Sequence, residues 1–298
     1  MKKLLLSAFV ICLAGTSIAQ ESPLWMRHCA LSPDGTTIAF TYKGDIYTVP
    51  STGGRATKIT SNPAFDTEQV WSPDSKQIAF ASDRMGSLDV FVVSSEGGAP
   101  QRLTTHSGSE KPVAYKDNKH ILFTANIAPS AEDAGFPSGQ FQQVYEVAVT
   151  GGRPAMFSSM PMECISINKE GVMLYQDKKG YEDYWRKHQV SPIARDIWTY
   201  TPGKKPVYQK QTTFGGEDRE PVWSPDGKSF YYLSEEKGSF NIFQRTPGTT
   251  TSQQITFHTK HPVRFLSIST TGTRPLKPIR LSELHIREML VIATGLLM

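Results

Sequence analysis

The chain has 298 residues, 38% of them hydrophobic, and its 32 Lys and Arg against 28 Asp and Glu give a formal charge of +4. Lys2 and Lys3 account for half of that excess, and Arg274, Lys277, Arg280 and Arg287 against Glu283 and Glu288 account for the other half. The long middle of the chain is therefore near neutral, with no basic stripe to track a phosphate backbone, and nucleic acid is excluded as the expected partner.

The first element is a leader. Lys2 and Lys3 precede an apolar run from Leu4 to Ala14, and Ser17-Ile18-Ala19 supplies small residues before Gln20. This pattern predicts a signal peptide over 1–19 with cleavage after Ala19, and hence an exported, periplasmic or secreted protein. The run is too short for a membrane span, which takes about 20 residues. Cys12 follows Val10-Ile11 rather than the small residues of a lipid-attachment site.

From there a repeat takes over. Ala30-Leu31-Ser32-Pro33-Asp34-Gly35 runs into Thr37-Ile38-Ala39-Phe40, Val70-Trp71-Ser72-Pro73-Asp74-Ser75 into Gln77-Ile78-Ala79-Phe80, and Val222-Trp223-Ser224-Pro225-Asp226-Gly227 into Ser229-Phe230-Tyr231-Tyr232. Weaker copies centre on Asp117 and Glu170, and a degraded one on Thr271. The intervals of 40, 43, 53, 56 and 45 residues fall in the range of propellers and solenoids. Pro fixes φ while Asp and Gly suit a tight reversal, so each copy predicts a hairpin. A third strand of alternating type follows, as in Asp45-Ile46-Tyr47-Thr48-Val49 and Asp89-Val90-Phe91-Val92-Val93. A Gly-Gly turn then leads to a short last strand such as Lys58-Ile59-Thr60 or Arg102-Leu103-Thr104. Four strands in about 40 residues is a propeller blade. The prediction is an all-β fold, a β-propeller of four-stranded blades over 20–269, with about five complete units and an aborted sixth.

Recurring aromatics (Trp71, Trp223, Phe40, Phe80, Phe123, Tyr175, Tyr232) are expected to fill the gaps between blades. Asp34, Asp74 and Asp226 are expected to bond turn amides. Arg84 is expected to form a salt bridge to a neighbouring blade. Cys29 and Cys164 fall in the first strands of copies one and four, on nearly opposite sides of a ring. A disulfide needs Cα atoms within about 7 Å, so two free thiols are expected.

Catalytic motifs are missing from the text: there is no Gly-x-Ser-x-Gly, His-Glu-x-x-His, Cys-x-x-Cys or phosphate loop. His258-x-x-His261 has no third ligand nearby, so neither a metal nor another cofactor is expected, and the chain is read as a non-enzyme. Two insertions interrupt the blades. Asn126 to Gln140 is rich in Pro, Ala, Ser and Gly. Asp177 to Ile193 carries Trp185, Arg186 and His188, which together with the nearby Arg195 form the candidate binding residues. They are either a polar surface loop or a rim that contacts a peptide or protein, since Trp and Arg concentrate at binding hot spots.

The Ser-Pro-Asp-Gly, Ile-Ala-Phe, Asp-Ile-Tyr and Leu-Thr elements resemble the blades of TolB and of tricorn-type proteases. Pro23-Leu24-Trp25-Met26-Arg27, Lys179-Gly180-Tyr181-Glu182, Trp185-Arg186-Lys187-His188 and Arg195-Asp196-Ile197-Trp198 resemble the amino-terminal propeller of secreted tricorn-like serine peptidases. That resemblance implies a non-catalytic module that admits or presents peptide substrates. The alternative is a TolB-like periplasmic scaffold that binds proteins. TolB carries an α/β domain before its propeller, whereas here the first blade begins soon after the leader, which favours the protease-type arrangement.

After Ser267-Ile268-Ser269 the repeat pattern stops. Residues 270–298 read as an off-pattern tail, in which Leu281, Leu284, Ile286, Met289 and Leu290 would suit one amphipathic helix. The expectation is an out-of-frame or otherwise terminated segment, with a capping segment as the alternative. An open propeller edge would then be available for self-association.

Overall fold

The computed structural model describes residues 26–127, 142–179, 190–260, 262–269 and 289–292. Every regular element among them is a strand. Blade 1 is β1 (Arg27–Leu31), β2 (Thr37–Tyr42), β3 (Asp45–Pro50) and β4 (Thr57–Lys58), and blade 2 is β5 (Asp66–Trp71), β6 (Gln77–Met85), β7 (Ser87–Ser94) and β8 (Gln101–Arg102). Blade 3 is β9 (Lys111–Asp117), β10 (His120–Ala125), β11 (Gln143–Ala148) and β12 (Ala155–Ser158). Blade 4 is β13 (Met162–Ile167), β14 (Met173–Asp177), β15 (Ile197–Thr201) and β16 (Val207–Lys210), and blade 5 is β17 (Asp218–Trp223), β18 (Phe230–Ser234), β19 (Asn241–Arg245) and β20 (Gln253–Gln254). Each is an antiparallel meander in chain order. A sixth sheet pairs β21 (Arg264–Ile268) in parallel with β22 (Met289–Ile292). Part of the tail is thus a strand where the apolar spacing suggested a helix, because β21 offers it an edge.

The Ser-Pro-Asp turns hold themselves together. Ser32, Ser72 and Ser224 donate their hydroxyls to Asp34, Asp74 and Asp226 at 2.6, 2.7 and 2.6 Å, and each carboxylate accepts a backbone N–H two residues on. The hydroxyls of Ser72 and Ser224 hold the Asp74 and Asp226 carboxyls below the usual carboxylate range. Asp74→Ala removes these bonds, and a loss of about 1 kcal/mol is expected by urea denaturation. The depressed pKa means that this contribution is present above the unfolded pKa and fades on acidification, so the gap between variant and parent should narrow as the pH falls below the ordinary carboxylate range. A loss that persists there would contradict the assignment.

The third and fourth strands share a second device. Asp45, Asp89 and Asp196 lie at or near the start of the third strands and pair with Lys58 (2.7 Å), Arg102 (2.9 Å) and Lys210 (2.8 Å) of the fourth. The hydroxyls of Thr60, Thr104, Thr212 and Thr256 accept the N–H of Ile46, Val90, Ile197 and Ile242. The Asp-Ile-Tyr and Lys-Ile-Thr elements are two halves of one lock. Arg84 differs from expectation: it bonds Asp66 (2.9 Å) of its own blade and lies 4.5 Å from the Phe91 ring centroid. The hairpin of β6 and β7 is long enough to fold back over its own first strand.

Apolar clusters sit between the blades. Trp71, Ile78, Phe80 and Phe91 pack against Ala39, Ile46 and Ile59 of blade 1, and Trp223 and Phe230 pack against Leu174 and Ile197 of blade 4. The indole N–H groups of Trp71 and Trp223 donate across these seams to the carbonyls of Ala30 (3.0 Å) and Val172 (3.1 Å). First strands contact one another around the ring, and β21 contacts both β17 and β1. At the 4/5 seam Trp223 N–H donates to Ser166 Oγ at 3.1 Å, and at the closing seam Leu31 N–H donates to Ser267 Oγ at the same distance. Ser269 Oγ donates to Pro33 O at 2.8 Å. A Cβ on Gly35, where φ is +74°, would come within 2.9 Å of Ser269 Oγ. The degraded sixth unit therefore supplies a regular inner strand, and the ring of first strands closes where the sequence suggested that it was left open.

Candidate functional site at the central channel

The six first strands surround the propeller axis, and each is bulged near its start. The register shifts between Arg27 and Ala30, Thr67 and Val70, Glu163 and Ser166, Arg219 and Val222, and Arg264 and Ser267. Within each of these bulges one residue adopts a left-handed backbone: His28 (φ 50°), Glu68 (54°), Cys164 (51°), Glu220 (50°) and Phe265 (58°). In β9 the corresponding register position is Pro112, three residues before Tyr115 as Glu68 is before Trp71. Bulges re-aim side chains, and a non-glycine residue held at positive φ costs about 1 kcal/mol or more. A strained conformation repeated five times at one level makes this level the candidate site.

Contacts tie the level together across blades. His28 Nδ1 lies 3.3 Å from Glu68 Oε2, Lys111 Nζ lies 3.3 Å from Glu68 Oε1, and the rings of His28 and Phe265 are 5.4 Å apart. Glu220 Oε2 accepts the Leu266 N–H at 2.7 Å, and Glu220 N–H donates to Gln176 Oε1 at 2.8 Å. Burial lowers the His28 pKa by more than Glu68 raises it, with Lys111 and Arg27 adding to the depression. Cys164 is exposed, although its neighbours Met162 and Ile165 are buried. Although part of its surface meets solvent, the protein packed around it, then the charges of Glu220, Glu163 and Glu68, pushes its thiol well above the ordinary value. The level combines carboxylates, a neutral imidazole, a protonated thiol and an aromatic ring. These groups can bind and orient a chain that threads the channel, and they do not form an activated nucleophile.

Antiparallel blades place all second-to-third-strand loops and all blade-to-blade connections at one end. Both insertions open there. So do the exposed side chains of Phe65, Met85, Met160, Val190 and Phe257, and a cavity of about 330 Å³ bounded by Arg27, Thr41, Lys43 and the connector from Pro63 to Phe65. This end is the loop face.

Trp185, Arg186 and His188 lie outside the described residues, as does His261. Arg195 is not a rim residue. It is buried, with Nε 3.2 Å from Glu163 Oε2 and Nη1 3.4 Å from Glu217 Oε1. Cys29 and Cys164 are free thiols, and burial raises that of Cys29 to about 12. Among the described residues no three His, Cys, Asp or Glu side chains form a group able to hold a metal, and no helix is long and apolar enough to cross a membrane. The channel residues went unnoticed in the sequence because their types differ. One signal was available: His28, Glu68, Cys164, Glu220 and Phe265 each lie six residues before the repeat's turn position.

Comparison with known proteins agrees with this architecture. Residues 23–273 match the family described as the tricorn protease N-terminal beta propeller domain. The chain is similar to tricorn protease homolog 1 of Streptomyces coelicolor, 38% identical over 213 residues, covering 71% of this chain and 19% of that protein. Among solved structures, the tricorn protease superposes with a TM-score of 0.67 at 18% identity over 81% of this chain and 23% of that one. A TolB-type protein of Agrobacterium tumefaciens superposes at 0.60 with 14% identity over 77% and 80%. The two structural likenesses show the fold alone. The chain spans about a fifth of the tricorn protease homolog, and the region that matches is propeller. It belongs to the family of tricorn protease N-terminal β-propeller domains.

Proposed function

We propose that this chain is the substrate-handling propeller module of a tricorn-like exported protease, admitting peptides at the loop face and presenting them through the central channel. The observation that carries the reading is the bulged ring of His28, Glu68, Cys164, Glu220 and Phe265, whose left-handed backbones set unlike side chains at one level of the first strands, with contacts that cross from blade to blade. The relatives supply the protease context, and the leader over 1–19 supplies the exported one. Peptides are the expected ligands, because a channel lined by carboxylates, a neutral imidazole and an aromatic ring suits an extended chain of mixed side chains.

Cys164 provides the test. A photoreactive amino acid in place of Cys164, whose side chain is exposed, should cross-link a fluorescent decapeptide of mixed sequence. Cys164→Trp should fill the channel and weaken binding of the same peptide by about tenfold, roughly 1.4 kcal/mol, at an unchanged melting temperature. Binding unaffected by the tryptophan would overturn the channel reading. A second reading, a protein-binding scaffold, draws on the exposed apolar residues of the loop face. It is favoured if a Phe65→Ser, Phe257→Ser variant loses partner binding while the blocked channel does not.

A further inference from the structure

The residue that opens each first strand sits at the seam with the preceding blade. Asp66, Glu110, Asp218 and Val263 occupy this place in blades 2, 3, 5 and 6. They donate their N–H groups to Gly44 O (2.8 Å), Leu88 O (2.7 Å), Arg195 O (3.1 Å) and Phe240 O (3.0 Å), each just ahead of the preceding blade's third-strand lock. Met162 holds the same register position in blade 4. The locks they face are Asp45, Asp89, Asp196 and Asn241 for the first four, and Gln143 for Met162. Three seams, 1/2, 2/3 and 4/5, therefore bring two acids together, and the 3/4 and 5/6 seams do not.

The three acid seams differ in cations. At seam 1/2, Lys58 serves Asp45 and Arg84 serves Asp66. At seam 2/3, Arg102 serves Asp89, but Glu110, 1% exposed, has no cation of its own among the described residues. It meets the side chain of Thr104, the backbone of His106 and the charges of Asp89 and Arg102. At seam 4/5, Lys210 and Lys179 serve Asp196. Asp218, also 1% exposed, meets the hydroxyls of Ser234 and Thr212 and the charges of Asp196 and Glu236. Glu236 stands two residues beyond Ser234, the partner of Asp218, as Arg84 stands two beyond Ser82, the partner of Asp66. An acid thus replaces the cation in the sequence position that neutralises seam 1/2.

We propose that seams 2/3 and 4/5 are proton-operated latches, tight while Glu110 and Asp218 are protonated and loosened when they ionise, whereas Arg84 makes seam 1/2 indifferent to pH. The two latches flank blades 3 and 4, which are joined to each other by the apolar cluster of Ala114, Leu122, Val144, Met162, Met173 and Tyr175. This pair is the segment of the ring free to move as a unit, and it carries both insertions and the Cys164 channel position. Burial first, then the neighbouring carboxylate, pushes both Glu110 and Asp218 up to about 7. A carboxyl raised in the folded state contributes stability at acid pH that is lost as pH rises toward the folded pKa, so the latches open upward in pH.

Amide hydrogen exchange of the intact chain, corrected for the intrinsic pH dependence, reads each seam separately. Protection of the Glu110 and Asp218 amides should fall between about pH 4.5 and pH 7, approaching about tenfold per pH unit for release of one proton, and level off above that, while that of Asp66 stays level. Glu110→Gln with Asp218→Asn should remove the response, and Glu236→Arg should remove it at seam 4/5 alone. An equal response at all three seams, or an unchanged one in the double variant, would overturn the proposal. Should the variants fail to fold, the three-seam comparison in the parent protein decides by itself.

Discussion

Arg195→Ala is expected to destabilise the propeller by about 3–5 kcal/mol, the usual result of removing one partner from a buried charge network. Arg195 is 7% exposed and bridges Glu163 and Glu217. Glu217 also receives Arg219 Nε at 2.8 Å, and Glu163 receives Lys178 at 3.2 Å and Gln176 at 3.1 Å. Burial alone would raise the Glu163 carboxyl, but Arg195 and then Lys178 outweigh it and hold it below its ordinary range. That contribution is present above the unfolded pKa and is lost on acidification. Removing the guanidinium leaves two carboxylates under-compensated between blades 4 and 5. Arg195→Lys should not rescue, because a single ammonium cannot reproduce the fork that spans both acids. The urea midpoint measures the loss. A variant with an unchanged midpoint but weakened peptide binding would show that Arg195 serves the surface after all.

Trp71→Ala should cost a comparable 3–5 kcal/mol or so, by a different mechanism. The indole is buried in the seam between blades 1 and 2 among Ile46, Ile59, Ile78 and Phe80, and its N–H reaches Ala30 O at 3.0 Å. Alanine opens a cavity in the seam and strands that carbonyl. Trp71→Phe keeps most of the packing and loses the bond, so its cost should be nearer 1–2 kcal/mol. Thermal unfolding of the pair separates packing from hydrogen bonding. Equal melting temperatures for the two variants would mean that the seam is not packed as described.

Much of the fold was legible because blade formation is local chemistry. Ser-Pro-Asp closes its own turn through a hydroxyl and a carboxylate two residues apart, so Asp34, Asp74 and Asp226 could be assigned without knowing what lies beside them. Trp71 and Trp223 recur at one phase of the repeat and Phe40, Phe80 and Phe123 at another, and a residue at a fixed phase meets a fixed neighbour. The site was much less legible. His28, Glu68, Cys164, Glu220 and Phe265 share no chemistry, and what they share is a left-handed bulge whose consequence appears only when six first strands converge. Arg195, with its charge and its loop-side position, looked like a surface residue; Glu163 and Glu217, 32 and 22 residues away, make it an interior one.

By itself, then, the sequence determined the blades, their number, their turns and the apolar phase that packs them, because each depends on residues within one repeat. Only the tertiary structure decided that β21 closes the ring on β1, that Met289–Ile292 joins it as a strand, that Arg84 serves its own blade, and that Glu110 and Asp218 form no ion pair among the described residues. Each of these turns on contacts between residues far apart in the chain, where the outcome depends on which charges and edges the closed ring brings face to face.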